Sequence, residues 1–270
     1  MSNAPVSPLG PIPDGWKLVR LRDVTSKIGS GATPKGGEAV YRPTRSNYAL
    51  IRSQNVFDRR FAIEGLAFIS DTDAESLRSV EVREGDILLN ITGDGVTFGR
   101  ACAAPRDILP AVVNQHVSII SVRQDLAVPG FVLSYLTHSV VKDYVESFNA
   151  GGSRRAITKA HIESFVLPLP PLHEQLAIAA SLGSLDDKIG LNCRMNETLE
   201  AMARAIFKSW FVDFDPVRAK VDGQQPAGMD FPSASQDSPA SLQCGWTLSS
   251  YKGAGKVAPA RLRPALHRSD

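Results

Sequence analysis

The sequence predicts an α+β fold, in which a mixed α/β domain is followed by a long α-helix that forms a coiled coil. Apolar runs of strand length, bounded by Gly, Asp, Asn or Pro, occur at residues 18–21, 48–51, 86–91 and 117–122. Helical spacing of apolar residues predicts helices at residues 73–77 and 128–144. Residues 173–211 contain no proline and repeat apolar residues at steps of three and four.

Changes in composition along the chain predict its domain organisation. The Pro-rich stretch from Leu167 to Leu172 separates the mixed domain from the helix. Gly245-Trp246-Thr247-Leu248 repeats the pattern of Gly15-Trp16-Lys17-Leu18, which suggests the start of a second copy of the domain. We predict an extended lead-in at residues 1–15 and a domain at residues 16–170. A long helix follows at residues 171–215, and a linker with a disordered tail at residues 216–270.

The predicted helix carries a coiled-coil seam. Such a seam needs a second helix, and polar residues within it typically fix register or partner. About 39 residues span about 58 Å at 1.5 Å per residue. The seam residues are Leu182, Leu185, Ile189, Asn192, Asn196, Leu199, Ala203, Ile206 and Trp210.

Composition and charge bound the class of protein. A hydrophobic fraction of 43% with 21% charged residues is typical of a globular chain. No run of about 18 apolar residues predicts a membrane span, and three widely spaced cysteines favour a reduced, cytoplasmic compartment. The net charge is only +2, but residues 20–60 carry nine Lys/Arg against three acids. This segment predicts a positive surface if the fold places it on one face, and a mixed, solvated surface is the alternative.

Motifs for catalysis and cofactors are missing. The run Gly93-Asp94-Gly95-Val96-Thr97-Phe98-Gly99 is one residue too long for a dinucleotide loop, and no P-loop or H-E-x-x-H motif is present. Asp186-Asp187-Lys188 resembles part of a nuclease metal site, but its heptad context favours a salt-bridged helix surface. We therefore predict no catalytic residue, no metal and no cofactor.

Polar loops are the remaining candidates for function. For phosphate contacts we predict Lys27, Ser30, Thr33, Lys35, Arg154 and Arg155, because they lie on Gly-rich segments that a backbone phosphate can approach. For base readout we predict Arg52, Gln54, Asn55, Asn114 and Gln115, because Arg pairs with guanine and Asn or Gln with adenine. The same residue types also cap turns or face solvent, so a purely structural role remains an alternative for each residue taken alone.

Several of these motifs together resemble the specificity subunits of type I restriction–modification systems. They are Gly15-Trp16 with Leu21, residues 30–34, 84–89 and 114–116, and the junction Leu167-Pro168-Leu169-Pro170-Pro171-Leu172-His173-Glu174-Gln175. The junction leads into Leu182, Leu185-Asp186-Asp187-Lys188-Ile189, Asn196, Leu199, Phe207 and Trp210-Phe211. The resemblance covers about residues 10–215.

This resemblance implies a non-enzymatic reader of double-stranded DNA. A target-recognition domain of this family contacts one half of a split site, and its long helix spaces that domain from a second one. DNA methyltransferase (modification) subunits and a restriction/translocase subunit would supply the catalysis.

The chain departs from the full-length pattern, because it has one recognition domain and one helix where a complete subunit has two. A half-length subunit could pair with a second copy of itself and read a palindromic split site. It could instead be an inactive truncated remnant. Two alternatives outside the family also stay open: a coiled-coil interaction protein with a protein-binding head, and an enzyme acting alone.

Overall fold

The computed structural model describes residues 7–45, 47–149 and 155–224. The chain divides into two compact units, residues 1–201 and 202–270. The predicted Arg154 and the Gly-Trp repeat at residues 245–248 lie outside the described residues.

The first unit contains every described strand. In chain order they are β1 (Lys17–Arg20), β2 (Thr25–Ser30), β3 (Tyr48–Ile51), β4 (Val56–Phe57), β5 (Arg60–Phe61), β6 (Ala67–Ile69), β7 (Ile87–Asn90), β8 (Thr92–Gly93), β9 (Ala101–Ala103), β10 (Ala111–Val113), β11 (Val117–Val122), β12 (Arg155–Ala156) and β13 (Val166–Leu169). The α-helices are α1 (Asp71–Glu75), α2 (Pro129–Leu136), α3 (Ser139–Ser147), α4 (Lys159–Ser164), α5 (Leu172–Phe207) and α6 (Asp215–Val221).

A four-stranded antiparallel sheet forms the centre of the domain, in the order β2-β11-β7-β9. Successive side chains of a strand point to opposite faces. On β7, Ile87 and Leu89 therefore pack into one hydrophobic cluster and Leu88 into the other. Both faces of the sheet are buried, which explains why the predicted strands are continuous apolar runs rather than alternating ones.

Each face of the central sheet is covered by a different layer. One cluster joins the sheet to α2, α3 and α4 through residues such as Phe131, Val141 and Ile162. The other joins it to a three-stranded sheet of order β10-β3-β6, in which β10 and β3 are parallel. Strands and helices in one mixed domain confirm the predicted α+β class.

The helix predicted at 128–144 is in fact two helices. Pro129 begins α2, whose last turn is bonded by the Thr137 hydroxyl donating to the Leu133 carbonyl at 2.9 Å. His138 then has an extended backbone, and its Nδ1 accepts a hydrogen bond from the Val140 amide at 3.3 Å, which starts α3. A side-chain cap inside the apolar repeat therefore ends one helix and begins the next.

The first and last strands of the domain pair with each other next to the start of α5. β1 pairs antiparallel with β13, so that Lys17 lies opposite Leu169. The lead-in is not extended throughout, because Gly10 has a left-handed backbone and donates to the Ser7 carbonyl at 3.1 Å in a turn.

Helix α5 contains 36 residues and confirms the predicted long helix. In the second unit, its last turns are followed by a π-helical turn at Lys208–Val212 and by α6. The described helices include none that is both long enough and apolar enough to cross a membrane.

Candidate functional site

One edge of the domain gathers the ends of most of its strands. Ser30 ends β2 opposite Ser118 of β11, and Asn90 ends β7 opposite Val117. β10 and β3 end side by side at Val113 and Ile51. The loops at residues 31–36, 52–55, 91–100 and 114–116 therefore lie along this edge, which we call the loop edge.

Asn114 fastens these loops together. Its side chain is only 6% exposed, and its Oδ1 accepts a hydrogen bond from the His116 amide at 3.0 Å. Its backbone amide donates to the Ile51 carbonyl at 3.0 Å, and its carbonyl accepts from the Gly31 amide at 3.2 Å. Asn114 thus has a structural task in the turn, and its predicted role in base readout stays a prediction.

Gln115, by contrast, is exposed and belongs to a chain of polar side chains. Its Nε2 lies 3.1 Å from Nε2 of His116, and its Oε1 accepts a hydrogen bond from the Thr33 hydroxyl. The other ring nitrogen of His116 contacts the Thr92 hydroxyl. Three loops thus contribute to one solvent-facing network of donors and acceptors, two of whose members, His116 and Thr92, are not among the predicted site residues.

The Gly-rich loop after β2 packs directly against the end of β10, so its backbone is not entirely open to a phosphate. A Cβ built on Gly31 would lie 1.6 Å from the Val113 carbonyl oxygen, so no side chain fits there. This glycine therefore lets the loop lie on β10. Ser30, Thr33 and Lys35 are exposed around it and remain available to a ligand.

Lys27 lies away from the loop edge. It lies nearer the start of β2 than Ser30 does, opposite Ser121 of β11. Its Nζ donates to the Glu81 carbonyl at 3.1 Å. Partial burial lowers the pKa of the Lys27 ammonium, and the charge of Asp86 opposes that change. Lys27 is thus bonded at the end of the sheet away from Ser30, Thr33 and Lys35, and its predicted phosphate contact stays a prediction.

Arg52 and Gln54 both reach back to the loop before β6. The Arg52 Nη2 and the Gln54 Nε2 donate to the Gly65 carbonyl at 2.7 and 3.1 Å. The guanidinium of Arg52 also lies over the ring of Tyr41, 5.3 Å from its centroid. Arg52, Tyr41 and Gly65 line an open groove of about 690 Å³, whose other walls include Glu38, Arg42 and Phe68.

Asn55 is fully buried, unlike its neighbour Gln54. Its Oδ1 accepts from the Arg52 amide at 3.1 Å, and its Nδ2 donates to the Ala62 carbonyl at 3.0 Å. Because its polar atoms are used inside the loop, Asn55 is placed to hold Arg52 and Gln54 rather than to touch a base. The predicted contact of Asn55 with a base stays a prediction.

Arg155 reaches the loop edge from the other side. β12 pairs with β8, so that Arg155 lies opposite Gly93. Its guanidinium forms an ion pair with Glu146 at 2.5 Å. The positive charge of Arg155 is therefore partly neutralised within the domain.

A buried residue not identified from the sequence joins two of the loops. Asn90 is fully buried, and its Nδ2 donates to the Ser53 and Thr97 carbonyls at 3.0 and 3.1 Å. Its Oδ1 has no partner among the described residues. The only signal in the sequence is a polar residue inside the apolar run at 86–91.

The Gly-rich run after β8 is a turn built on Asp94. Its Oδ1 accepts hydrogen bonds from the Thr97 hydroxyl and amide at 2.7 and 2.8 Å, and from the Val96 amide at 3.1 Å. These bonds, those of Thr97 first, hold the pKa of the Asp94 carboxyl below its usual range. The run leads directly into β9 and is therefore the loop between β8 and β9.

The beginning of α5 is fixed to the domain by polar contacts. Gln175 is 1% exposed, and its side chain bonds to the Val128 amide at 2.9 Å and the Pro170 carbonyl at 2.8 Å. The Trp16 indole donates to Glu174 at 3.0 Å, and Arg59 donates to Asp186 at 2.6 Å. Asp186 is therefore a salt-bridge partner, and the described residues include no group of His, Cys, Asp or Glu suited to a metal ion.

Beyond these contacts, the described residues leave the seam of α5 exposed. In the first unit Leu185, Ile189 and Leu199 are each more than half exposed, at 53%, 61% and 56%. Leu182, Asn192 and Asn196 are exposed as well. In the second unit Ala203, Ile206 and Trp210 are also exposed. Within each unit, therefore, the part of the chain that the structure describes leaves these predicted seam positions exposed.

Comparison with known proteins finds a matching family model and similar proteins. The family model described as "Type I restriction modification DNA specificity domain" matches residues 13–201. The HindI type I restriction enzyme specificity subunit of Haemophilus influenzae is 31% identical over 176 residues, which cover 64% of this chain and 38% of that protein.

Solved structures agree on the fold. An HsdS subunit from Thermoanaerobacter tengcongensis superposes with a TM-score of 0.50 at 22% identity, covering 75% of this chain and 46% of that one. A type I restriction–modification S subunit from M. genitalium gives a TM-score of 0.54 at 13% identity, covering 81% and 52%. The chain thus spans about two fifths to one half of the length of these relatives.

Proposed function

This chain belongs to the family of type I restriction–modification DNA specificity domains, and from that premise we propose that it recognises one half of a split DNA site. The observation that carries the proposal is the loop edge, where exposed side chains from three or more loops stand on a core that is buried on both faces. Rigid placement of such side chains is what base recognition requires.

The proposed roles follow from exposure and bonding. Gln115 presents both an amide donor and an acceptor, which match the edge of an adenine. Arg52 and Gln54 form a second reading position beside the groove, where Arg52 would exchange its bond to Gly65 for a guanine. Ser30, Thr33, Lys35 and Arg155, with the neighbouring Arg154, would bind phosphates and orient the domain.

The exposed seam of α5 is evidence for a partner helix that packs on it. We propose that a second copy of the chain, or the other half of a specificity subunit, packs on it and places a second recognition domain at a fixed distance on DNA. Modification and restriction subunits would bind this assembly and supply the catalysis, while the chain itself catalyses no reaction. The relative from H. influenzae is likewise named as one subunit of a restriction enzyme.

The experiment is to co-express the chain with a type I methyltransferase subunit and to map methylated bases in the host genome. Cells that express the methyltransferase subunit alone are the control. We expect methylation confined to one bipartite sequence, because each half-site is read by one recognition domain. Methylation without a sequence preference, or none above the control, would count against the proposal and favour an inactive remnant.

A second candidate function is favoured by the uncovered seam alone: a coiled-coil protein whose head binds another protein. Salt separates the two candidates, since DNA binding weakens steeply as salt rises. Binding of a protein through apolar contacts would change little over the same range.

A further inference from the structure

The hairpin formed by β4 and β5 carries two arginines against one aromatic ring. The guanidinium carbons of Arg60 and Arg100 each lie 4.6 Å from the centroid of the Phe57 ring. Arg60 lies opposite Phe57 in the hairpin, whereas Arg100 comes from the residue before β9. Two cations therefore lie within about 9 Å of each other, where their like charges repel and a bound anion would offset that repulsion.

The neighbouring charges are already paired. Arg59 forms an ion pair with Asp186, and Lys142 forms one with Asp58. Within the described part of the chain, neither Arg60 nor Arg100 has a carboxylate partner. The hairpin and its surroundings thus keep two positive charges that nothing in the described residues neutralises, and the exposed Arg60 presents one of them to solvent.

The same two arginines are tied to the loop edge. The Arg100 carbonyl accepts a hydrogen bond from the Asn90 amide at 2.9 Å. The Val56 carbonyl, next to Phe57, accepts from the Asn90 side chain at 3.4 Å. Asn90 also holds the loops at 53 and 97, so the arginine pair has a fixed position beside the proposed base-reading residues.

We propose that Arg60 and Arg100, held against Phe57, bind phosphates of duplex DNA beside the loop edge. Stacking on the ring fixes each planar guanidinium, so that its donors are oriented before DNA arrives. This inference rests on the proposed function and adds two phosphate contacts, Arg60 in the β4–β5 hairpin and Arg100 at the end of the loop at 91–100.

The test measures binding of the full chain to two short duplexes of unrelated sequence, between about 50 and 200 mM salt. Replacing one phosphate contact lowers the slope of log affinity against log salt by about 0.9. We expect Arg60→Gln and Arg100→Gln each to lower the slope by about that amount on both duplexes. The double Arg→Lys variant, which keeps both charges, should retain the slope.

Arg106→Gln is the matched control, because this exposed arginine lies beyond the opposite end of β9. It should leave the slope unchanged, and an equal fall would show a general charge effect and overturn the proposal. Unchanged thermal unfolding of the Arg60→Gln variant checks that the fold is intact.

The remaining outcomes separate this proposal from the proposed function. If the wild-type chain binds duplex DNA and the Gln variants keep its slope, the arginine pair is not a phosphate contact, although DNA recognition stands. If those variants instead lose a co-purifying modification subunit, the pair is a protein contact and the proposal is wrong. If the wild-type chain binds no duplex, both proposals fail together.

Discussion

Gln54 and Asn55 are neighbours in the chain, and so are Asn114 and Gln115. In each pair the two amide side chains have different surroundings in the structure. Both asparagines are buried and use their amide groups to hold a turn. Both glutamines are exposed at the same edge. The comparison teaches that the shorter amide side chains build the loops, whereas the longer ones are displayed on them.

The largest effect is expected from removing a buried anchor. Asn55→Ala leaves the Arg52 amide and the Ala62 carbonyl without partners, and each unpaired buried group costs about 1–3 kcal/mol. We expect the free energy of unfolding to fall by about 2–4 kcal/mol in a denaturant titration. Gln54→Ala, one residue away, is the control and should change it by less than about 0.5 kcal/mol. Equal losses would show that the two amides do not differ in role.

A displayed residue should affect binding rather than stability. Gln115→Ala is expected to reduce discrimination at a single base pair by about 1–3 kcal/mol, with unfolding unchanged. Competition binding against duplexes that vary one position at a time measures this. A uniform loss on every duplex would instead assign Gln115 to the DNA backbone.

The start of α5 repeats the contrast between anchored and displayed side chains. Ile189→Asp places a charge on the uncovered seam, so we expect loss of self-association in sedimentation while the helix content of the monomer is kept. Lys188→Asp, on the adjacent residue outside the seam, is the control. A wild-type chain that stays monomeric at all concentrations would contradict pairing of two copies through this surface and leave the other half of a specificity subunit as the proposed partner.

The smallest effect concerns two lysines at opposite ends of the region around β2. Lys35→Gln should lower the salt slope of DNA binding by about 0.9, because Lys35 is exposed at the loop edge. Lys27→Gln should leave the slope unchanged, since its ammonium is bonded to the Glu81 carbonyl. A fall with Lys27→Gln and none with Lys35→Gln would reverse the placement of the phosphate contacts.

Much of the fold could be predicted because its signals are local. Buried strands produce continuous apolar runs, and the heptad spacing of Leu185, Ile189 and Leu199 depends only on the helical repeat. These features need no knowledge of which strand lies beside which.

The division of labour within the loop edge could not be predicted in the same way. Whether Asn55 is buried depends on the carbonyl of Ala62, and whether Lys27 is free depends on Glu81, 54 residues later. Phe57 and Arg100 meet only because β4 lies against β9. Such contacts arise from tertiary pairing, on which composition and spacing carry no information.

The central sheet has consequences for altering what the protein recognises. Because both of its faces are buried, its stability comes mainly from buried side chains such as Leu88 and Ile119, rather than from the side chains exposed at the loop edge. Exchanging Gln115, Gln54 or Arg52 would therefore leave the scaffold intact, provided that Asn55, Asn90 and Asn114 are kept. A library that varies only the displayed positions would offer new target preferences on an unchanged frame.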